Sequence, residues 1–475
     1  MRCIEPDDPP MCDLHGVLWS SLFESPMNVL LARPPRRDPN QMSLAVPPLG
    51  LAYIAASLRQ HGHKVRILDA AVQGWSWTRF EQEIAHTRPD VFGLSAMTPV
   101  ADLAARAARL ARPHVEHIIL GGPHPTAVKH AVLDEMPDLD AAVVGEGEDV
   151  APALLTWLHH GQGAPPPGVL ARGHALVPAR DPDIARVVFP ARDLLPMDRY
   201  RYLFATRPGF ATMITSRGCP FHCTFCDKSV SGSRWRAREA ADVVDELERL
   251  VIEHGVGFVN FYDDNFTLRR SRVVGICEEI LRRGIDIEWK CEGRVDGVDL
   301  PLLRLMRRAG CRTIAYGVES GNQSTLDLLR KDVSVIQAPA AFAATRAAGI
   351  RSLAYIILGA PGESVADVRH TIQFCREIRA DYVQFSTLVA MPGTPLFAQF
   401  ESASAVPNPV DADRHRATVT ELDPDTLSRL LRDAWTQFYL RPGPIWRLAR
   451  DARASGSLDE GVRLVRGLGR WMLAG

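Results

Sequence analysis

Short apolar runs alternate with amphipathic stretches along the first third of the chain. We predict strands at 28–32, 64–68, 91–95, 117–121 and 141–144, where the short apolar runs lie. Between them, apolar residues recur every three or four positions, and this period predicts helices at 49–60, 78–86, 100–111, 127–135 and 150–158. Continuously apolar strands joined by helices are typical of a parallel, doubly wound α/β sheet of the Rossmann type.

The same alternation resumes at residue 211. It predicts strands at 211–215, 257–262, 287–291, 313–318, 352–358 and 382–388. The intervening helices are predicted at 237–254, 271–283, 300–309, 324–330, 335–348 and 364–378. Six β/α units in series favour a partial (β/α)6 barrel, whose site would lie at the carboxyl ends of its strands.

A Gly-Ala-Pro-Pro-Pro-Gly stretch at 163–168 interrupts both patterns and marks a linker. We therefore predict an N-terminal arm at 1–26, the doubly wound domain at 27–160, the linker at 161–204, the barrel at 205–400 and a mainly helical region at 401–475. The last region has the apolar anchors Trp435, Phe438, Tyr439 and Trp446. We expect it to cover the barrel mouth and to carry substrate specificity.

Three cysteines, Cys219, Cys223 and Cys226, follow the first strand of the second unit in the sequence Ser-Arg-Gly-Cys-Pro-Phe-His-Cys-Thr-Phe-Cys-Asp. Thiolates are soft ligands that suit zinc or an iron–sulfur cluster. A closed zinc site takes four ligands, usually from two pairs, and no second pair follows here. Three cysteines on a four-iron cluster leave one iron open to a substrate or cofactor. A structural zinc loop, or three free thiols, is the alternative.

Composition narrows the class of protein. A chain of 475 residues with 46% hydrophobic and 23% charged residues predicts two or three globular domains. A net charge of −1 gives no field that would attract nucleic acid, so we expect no nucleic-acid partner. The nine cysteines form no disulfide framework by their spacing. A loop with three thiolates needs a reducing compartment, so we expect a cytoplasmic location. We expect no signal peptide and no transmembrane segment, because no run of about 18 apolar residues occurs.

Small residues follow the strands of the first domain. Ser95 ends the third strand, Gly121 and Gly122 end the fourth, and Gly145 and Glu146 follow the fifth. This arrangement resembles the cobalamin (B12)-binding domain. The resemblance implies that Ser95 bonds the buried dimethylbenzimidazole tail and that the glycines make room for it.

One part of that family pattern is absent. The loop at 33–38 has no histidine, so it offers no imidazole to ligate cobalt from below. His124 lies at the correct end of the sheet and is a weak candidate for that ligand. The alternative for the whole domain is a flavodoxin-like fold that binds another ligand or none.

The C-x3-C-x2-C spacing, with Phe225 before the third cysteine, resembles the radical S-adenosylmethionine (SAM) superfamily. Together with the first domain it resembles the cobalamin-binding, class B methyltransferase-like members. The resemblance implies a [4Fe–4S] cluster on the three cysteines and SAM on the open iron. The residues it places around SAM are Asp263 and Asp264 at the amino group, Glu319 and Ser320 at the carboxylate or ribose, Arg294 near the carboxylate, and Ile357 and Leu358 beside the adenine.

These side chains also have simpler interpretations. Asp264 and Glu319 precede helices and could be N-caps. Arg294 could form an ordinary ion pair. The resemblance implies that SAM is cleaved reductively and that an unactivated carbon of a small molecule is methylated, with a flavodoxin and its reductase, or a ferredoxin, as electron donor. The alternatives are a B12-dependent oxidative cyclase or ring-rearranging enzyme without methyl transfer, and a non-catalytic cobalamin or metal sensor.

Overall fold

A computed structural model describes residues 26–37, 46–401 and 419–456. The predicted N-terminal arm lies outside these ranges, apart from residue 26. So do the cysteines at 3 and 12, and residues 402–418 and 457–475 of the predicted helical region.

The first domain is a six-stranded sheet in the order β2-β1-β3-β4-β5-β6. The first five strands are parallel and β6 runs antiparallel to β5. They are β1 (Asn28–Arg33), β2 (Lys64–Asp69), β3 (Val91–Ser95), β4 (His117–Gly121), β5 (Ala141–Val143) and β6 (Val169–Ala171). Each face of the sheet carries its own apolar core. The predicted doubly wound sheet is confirmed.

The helices of this domain are α1 (Leu49–Gln60), α2 (Ala70–Gln73), α3 (Trp77–Thr87), α4 (Ala101–Ala111), α5 (Pro123–Val128), α6 (Ala131–Glu135) and α7 (Val150–His160). The single helix predicted at 127–135 is wrong. Pro123 and Pro125 start α5 earlier, because proline is favoured in a first helical turn. Lys129 then adopts a φ of 52°, which ends α5 and separates it from α6.

The second domain is a parallel sheet in the order β14-β13-β12-β11-β10-β7. These strands are β7 (Phe210–Met213), β10 (Phe258–Phe261), β11 (Glu288–Gly293), β12 (Cys311–Glu319), β13 (Arg351–Leu358) and β14 (Tyr382–Thr387). The helices that follow are α8 (Ala240–His254), α9 (Arg270–Arg283), α10 (Leu300–Arg308), α11 (Gln323–Leu328), α12 (Gln337–Ala347) and α13 (Val365–Glu377). The predicted six-stranded partial barrel is confirmed.

A separate two-stranded ladder lies at the carboxyl end of β7. It consists of β8 (Ser216–Arg217) and β9 (Arg236–Ala237), which are antiparallel. The helix predicted to begin at residue 237 therefore begins only at Ala240.

The linker joins the two sheets by direct contacts. Ala191 donates its N–H to the Ala52 carbonyl in α1, at 3.0 Å. Arg192 donates to the Thr212 carbonyl in β7 at 2.7 Å and pairs with Glu246 in α8 at 2.6 Å. The sheet of the first domain also extends into the stretch 161–204, because β6 lies there.

The C-terminal part contains α14 (Pro395–Glu401), α15 (Pro424–Tyr439) and α16 (Pro442–Ala454). Helix α15 packs on α13 and β14, and Tyr439 exchanges two hydrogen bonds with the backbone of Val383. Helix α15 therefore covers the flank of the barrel, whereas the sequence predicts that this region covers the mouth. The segment before α15 reaches the mouth: Val419 packs in one apolar cluster with Phe225 and Ile357, and Glu421 accepts from the Gly362 N–H at 2.8 Å.

No helix in the described part of the chain is both long enough and apolar enough to span a bilayer.

Replacing Trp289 with Ala should strongly destabilise the barrel. Its ring is fully buried against Phe261 and Phe266, with centroids 5.4 and 5.6 Å away, and its N–H donates to the Ala309 carbonyl. We expect a loss of about 3–5 kcal/mol in the free energy of unfolding, measured by urea titration with circular dichroism. Ile252→Ala, at a 75% exposed position, is the control and should change it by less than about 0.5 kcal/mol. Equal midpoints for both variants would contradict the packing described.

Candidate functional site

Two acidic residues at the end of β10 hold the start of the cysteine loop. Asp263 is buried and accepts hydrogen bonds from the Thr215 N–H, the Thr215 hydroxyl and the Ser216 hydroxyl, each at 2.6 Å. Asp264 accepts from the Gly218 N–H at 3.0 Å. Both oxygens of Asp263 are thus occupied within the protein. Asp264 is exposed and lines the cleft described below, and neither residue caps a helix.

The loop that bears the cysteines has a narrow neck. Gly218 adopts a φ of 82°, and a Cβ there would lie 2.3 Å from the Arg234 carbonyl oxygen at the other end of the loop. Glycine is needed here because any side chain would separate the two strands of the neck.

The three thiols lie within electrostatic range of one another. Cys223 is buried, and Cys219 and Cys226 are half-buried. Burial, followed by the nearby Cys223, Asp264 and Cys219, raises the pKa of Cys226 to about 12. Three thiolates at such a site need a cationic group to bind them.

The spacing of the thiols argues against a single ion. Around one tetrahedral zinc, sulfurs lie about 3.8 Å apart, since each is about 2.3 Å from the metal. Within the described ranges, no three His, Cys, Asp or Glu side chains lie close enough together to hold one metal ion. A four-iron cluster places each sulfur on a different iron, farther apart. The three cysteines of this loop therefore fit a cluster better than zinc.

An ion pair lies beside the cysteine loop. Lys331 donates to the Glu319 carboxylate at 2.7 Å, and its Nζ is 5.8 Å from the centre of the Phe225 ring. Burial raises the pKa of Cys223, and the nearby Lys331 opposes that rise. Glu319 is not a helix cap: it lies at a bulge of β12 with a φ of 66°, a strained conformation for a non-glycine residue. Sequence reasoning missed Lys331, because a lone lysine in a polar loop carries no signal.

Arg294 forms an ion pair with Asp296, in agreement with the simpler interpretation of this residue. Its guanidinium bonds Asp296 at 2.9 and 3.0 Å and the Lys331 and Asp332 carbonyls at 2.9 Å. It also lies 3.7 Å from the centre of the Phe221 ring in the cysteine loop. Arg294 thus holds the segment of Lys331 against that loop.

The remaining residues predicted for SAM differ in orientation. Ser320 is buried and its hydroxyl lies 3.1 Å from that of Thr371. Ile357 packs in one cluster with Phe225, whereas Leu358 packs in the core beneath the barrel helices. Consecutive strand residues point to opposite faces of the sheet. The Ile357 side chain therefore faces the cysteine loop, and the Leu358 side chain does not. Leu358 could contribute there only through its backbone.

A cleft lies between the two domains. Its empty volume is about 1120 Å³, part of which is open to solvent. The first-domain wall includes all five residues predicted to bind cobalamin: Ser95, Gly121, Gly122, Gly145 and Glu146. The second-domain wall includes Ile214, Ser216, Arg217, Tyr262 and Asp264, next to the cysteine loop. The carboxyl ends of both sheets therefore border one space.

Three glycines leave the first-domain wall of the cleft without side chains at positions 121, 122 and 145. Gly122 has a φ of 98°, and a Cβ there would lie 2.7 Å from the Ser95 hydroxyl oxygen and 3.0 Å from the Ala96 carbonyl oxygen. A Cβ on Gly121 would meet only Val143, at 4.0 Å, and one on Gly145 would meet nothing within 4 Å. Side chains at these two positions would stand in the cleft. This wall therefore fits a broad, rigid ligand such as cobalamin.

His124 is not a candidate cobalt ligand. It is buried, and its two ring nitrogens lie 3.2 Å from the Thr98 hydroxyl and 2.9 Å from the Glu135 carboxylate. It does not line the cleft, and none of the cleft-lining residues in the described ranges is a histidine.

A polar group lies inside the barrel, and sequence reasoning missed it. Lys290 is fully buried and pairs with Glu292 two residues on along β11. The Tyr355 hydroxyl donates to Glu292 at 3.0 Å, and Lys290 donates to Asn260 at 3.4 Å. The available signal was the alternation of charged residues, Glu288, Lys290 and Glu292, with Trp289 and Cys291 along β11.

The comparisons with known proteins agree with this arrangement. Residues 42–155 match the family model of the B12 binding domain, and residues 213–375 match that of the radical SAM superfamily. An uncharacterized methyltransferase of Pyrococcus horikoshii is 32% identical over 438 residues, which cover 88% of this chain and 93% of that protein. The anaerobic magnesium-protoporphyrin IX monomethyl ester cyclase of Rubrivivax gelatinosus is 30% identical over 407 residues, covering 81% and 71%.

The solved structure of OxsB, a cobalamin-dependent SAM radical enzyme with aqua-cobalamin and SAM bound, has the same fold. The TM-score is 0.73 at 18% identity, with 94% of this chain and 72% of that chain covered. The fold and the site thus define a two-domain radical SAM enzyme. The chain belongs to the family of cobalamin-dependent radical SAM methyltransferases. Its cofactors are a [4Fe–4S] cluster, SAM and cobalamin.

Replacing Cys219, Cys223 and Cys226 together with Ala should abolish cluster binding. We expect anaerobic reconstitution to give about four irons per wild-type chain and fewer than about one in the variant, measured by iron and sulfide assay. Cys277→Ala is the control, because Cys277 is buried in the barrel core away from the loop. Uptake of zinc rather than iron by the wild type would contradict the assignment.

Replacing Gly122 with Ala should weaken cobalamin binding at least about tenfold, or about 1.4 kcal/mol, because the new Cβ displaces Ser95 and Ala96. The measurement is a hydroxocobalamin titration followed by tryptophan fluorescence. Gly163→Ala is the matched control: its φ is 83°, but a Cβ there meets nothing within 4 Å. Equal affinities of the two variants would contradict the role given to Gly122 in the cleft wall.

Proposed function

We propose that this enzyme methylates an unactivated carbon of a small molecule, with cobalamin as the methyl carrier and SAM as the source of both radical and methyl group. The observation that carries this proposal is the shared cleft. The glycine-lined wall of the B12 domain and the strand ends beside the cysteine loop border the same space. A methyl donor in the first domain and a radical generated in the second would thus reach one substrate.

We assign the cysteine loop to the cluster and its surroundings to SAM. When bound, the cluster supplies the electron that cleaves SAM, and cobalamin supplies the methyl group. Phe225 and Ile357 offer an apolar surface for the adenine. The Glu319–Lys331 pair and Ser320 lie at the end of β12, where they can orient the polar end of SAM.

Apolar packing around this region would keep water from a reactive radical. Phe225 and Ile357 pack against Leu329, Leu388 and Val419, all three of which are buried. A dry environment of this kind prevents side reactions of radicals.

We assign the polar group inside the barrel to the substrate. One oxygen of Glu292 accepts from Lys290 and Tyr355, and the other has no hydrogen-bond partner among the residues that the structure describes. The Glu292 side chain retains 19% exposure. This oxygen would accept a hydrogen bond from a hydroxyl or amino group of the substrate.

The reaction also needs an electron from outside the chain. We propose a flavodoxin with its reductase, or a ferredoxin, as the donor, because a [4Fe–4S] cluster that reduces SAM must itself first be reduced at low potential.

A second candidate is an oxidative cyclase. The Rubrivivax gelatinosus relative, named as a cyclase, is 30% identical and matches 81% of this chain, so the same two domains serve a cyclase. In that case the radical would still form at the cluster, but no methyl group would leave SAM for the product. Methyl transfer is favoured because the Pyrococcus horikoshii relative, named as a methyltransferase, covers 88% of this chain at 32% identity.

Labelled SAM separates these functions. The anaerobic, reconstituted enzyme is incubated with reductant, SAM carrying a trideuterated methyl group, and small-molecule extract of the producing cells. Methyl transfer predicts a product three mass units heavier than with unlabelled SAM, and about equal amounts of 5′-deoxyadenosine and S-adenosylhomocysteine.

A cyclase predicts 5′-deoxyadenosine with no labelled product, and a non-catalytic sensor predicts neither. The variant lacking Cys219, Cys223 and Cys226 is the control, and it should form no 5′-deoxyadenosine.

A further inference from the structure

The cluster loop, defined as residues 218–235, is closed at its base by the β8–β9 ladder. Ser216 is opposite Ala237, and Arg217 is opposite Arg236. The ladder has only these two pairs, so its own backbone contacts are few. Contacts that hold the side chains of the ladder in place therefore also fix the positions of the two ends of the cluster loop.

Both arginines of the ladder reach the same carboxylate in the other domain. Arg217 donates to Glu146 at 2.6 Å, and Arg236 donates to both oxygens of Glu146, one of them at 3.2 Å. The second terminal nitrogen of Arg217 donates to Glu148 at 2.5 Å. Two carboxylates of the B12 domain thus hold the two strands of the ladder together.

This clamp of Glu146, Glu148, Arg217 and Arg236 is buried. Glu146, Glu148 and Arg217 are 8%, 7% and 7% exposed. The two positive and two negative charges balance, as buried charges require. Tyr53 in α1 adds a ring 5.3 Å from the Arg217 guanidinium.

The two carboxylates belong to the wall of the cobalamin cleft. Gly145, Glu146, Gly147 and Glu148 are all cleft-lining residues on the segment between β5 and α7. A ligand that settles against this segment presses on the backbone that carries both carboxylates. Arg217, which they hold, is two positions before the first cluster cysteine.

We propose that Glu146 and Glu148 are positioning residues that couple occupancy of the cobalamin cleft to the conformation of the cluster loop. This inference rests on the cobalamin cleft of the proposed function. In this arrangement, cobalamin orders the segment at 145–148, the clamp fixes the ladder, and the ladder fixes the cluster loop. The coupling is reciprocal, so the cluster also strengthens cobalamin binding.

Hydrogen–deuterium exchange of the full-length, cluster-free chain tests the first direction. With hydroxocobalamin, we expect amides of residues 216–237 to exchange at least about threefold more slowly in the wild type. The double variant Glu146→Gln, Glu148→Gln should confine the slowing to the first domain.

The single variant Glu148→Gln keeps Glu146 and both of its arginines, and it should show an intermediate effect. Glu135→Gln is the matched control, because Glu135 contacts His124 within the first domain and does not reach the ladder. It should behave as the wild type does.

Binding constants test the reverse direction. Hydroxocobalamin should bind the cluster-loaded wild type at least about fivefold more tightly than the cluster-free wild type, a typical coupling. The ratio should fall to about one in the double variant. A purely structural clamp would lower the thermal midpoint of the double variant but leave this ratio at its wild-type value.

These experiments distinguish a failure of the proposed coupling from a failure of the proposed function. Cobalamin binding without slower exchange at 216–237 in the wild type would overturn the coupling alone, as would slowing that persists in the double variant. Lack of any hydroxocobalamin binding would overturn both. Absence of labelled methyl product would overturn methyl transfer and leave the coupling intact, since neither test here uses substrate or SAM.

Discussion

The carboxyl ends of two parallel sheets face one another across a single cleft, and the chemistry of the molecule depends on this constraint. A parallel sheet gathers the loops after its strands at one edge, so each sheet offers one such edge. In the first, this edge is made of glycines and Ser95; in the second, it carries the cysteine loop. Linker contacts such as that of Arg192 with Thr212 hold the two edges together.

Most of the chemistry-bearing residues are held by partners from distant parts of the chain. Asp263 holds the start of the cysteine loop, Arg294 holds the segment of Lys331, and Lys331 neutralises Glu319. Breaking a buried pair of this kind by removing one partner costs about 3–5 kcal/mol, because the other charge is left unpaired. The site is therefore held rigidly by its charges, which suits an enzyme that must keep a radical away from its own side chains.

Local pattern predicted the sheets, the cysteine loop and the glycine wall, because each is a property of consecutive residues. Strands β3 and β4 have the predicted bounds. The partners of those residues could not be predicted. Glu148 and Arg217 are 69 positions apart, and nothing in either segment indicates the other. The split of the helix predicted at 127–135 depended on one left-handed residue, Lys129, a position where sequence favours no such conformation.

The antiparallel strand β6 bears on where the cofactor domain ends. It pairs with β5 along its whole length, from Ala141–Ala171 to Val143–Val169. Ending the domain at the proline-rich stretch 163–168 would remove β6. Strand β5 would then be an unpaired edge strand, which can pair with other chains. A truncated protein that contains the first domain alone must therefore include residues up to Ala171, and the proline-rich stretch 163–168 then forms a surface loop within it.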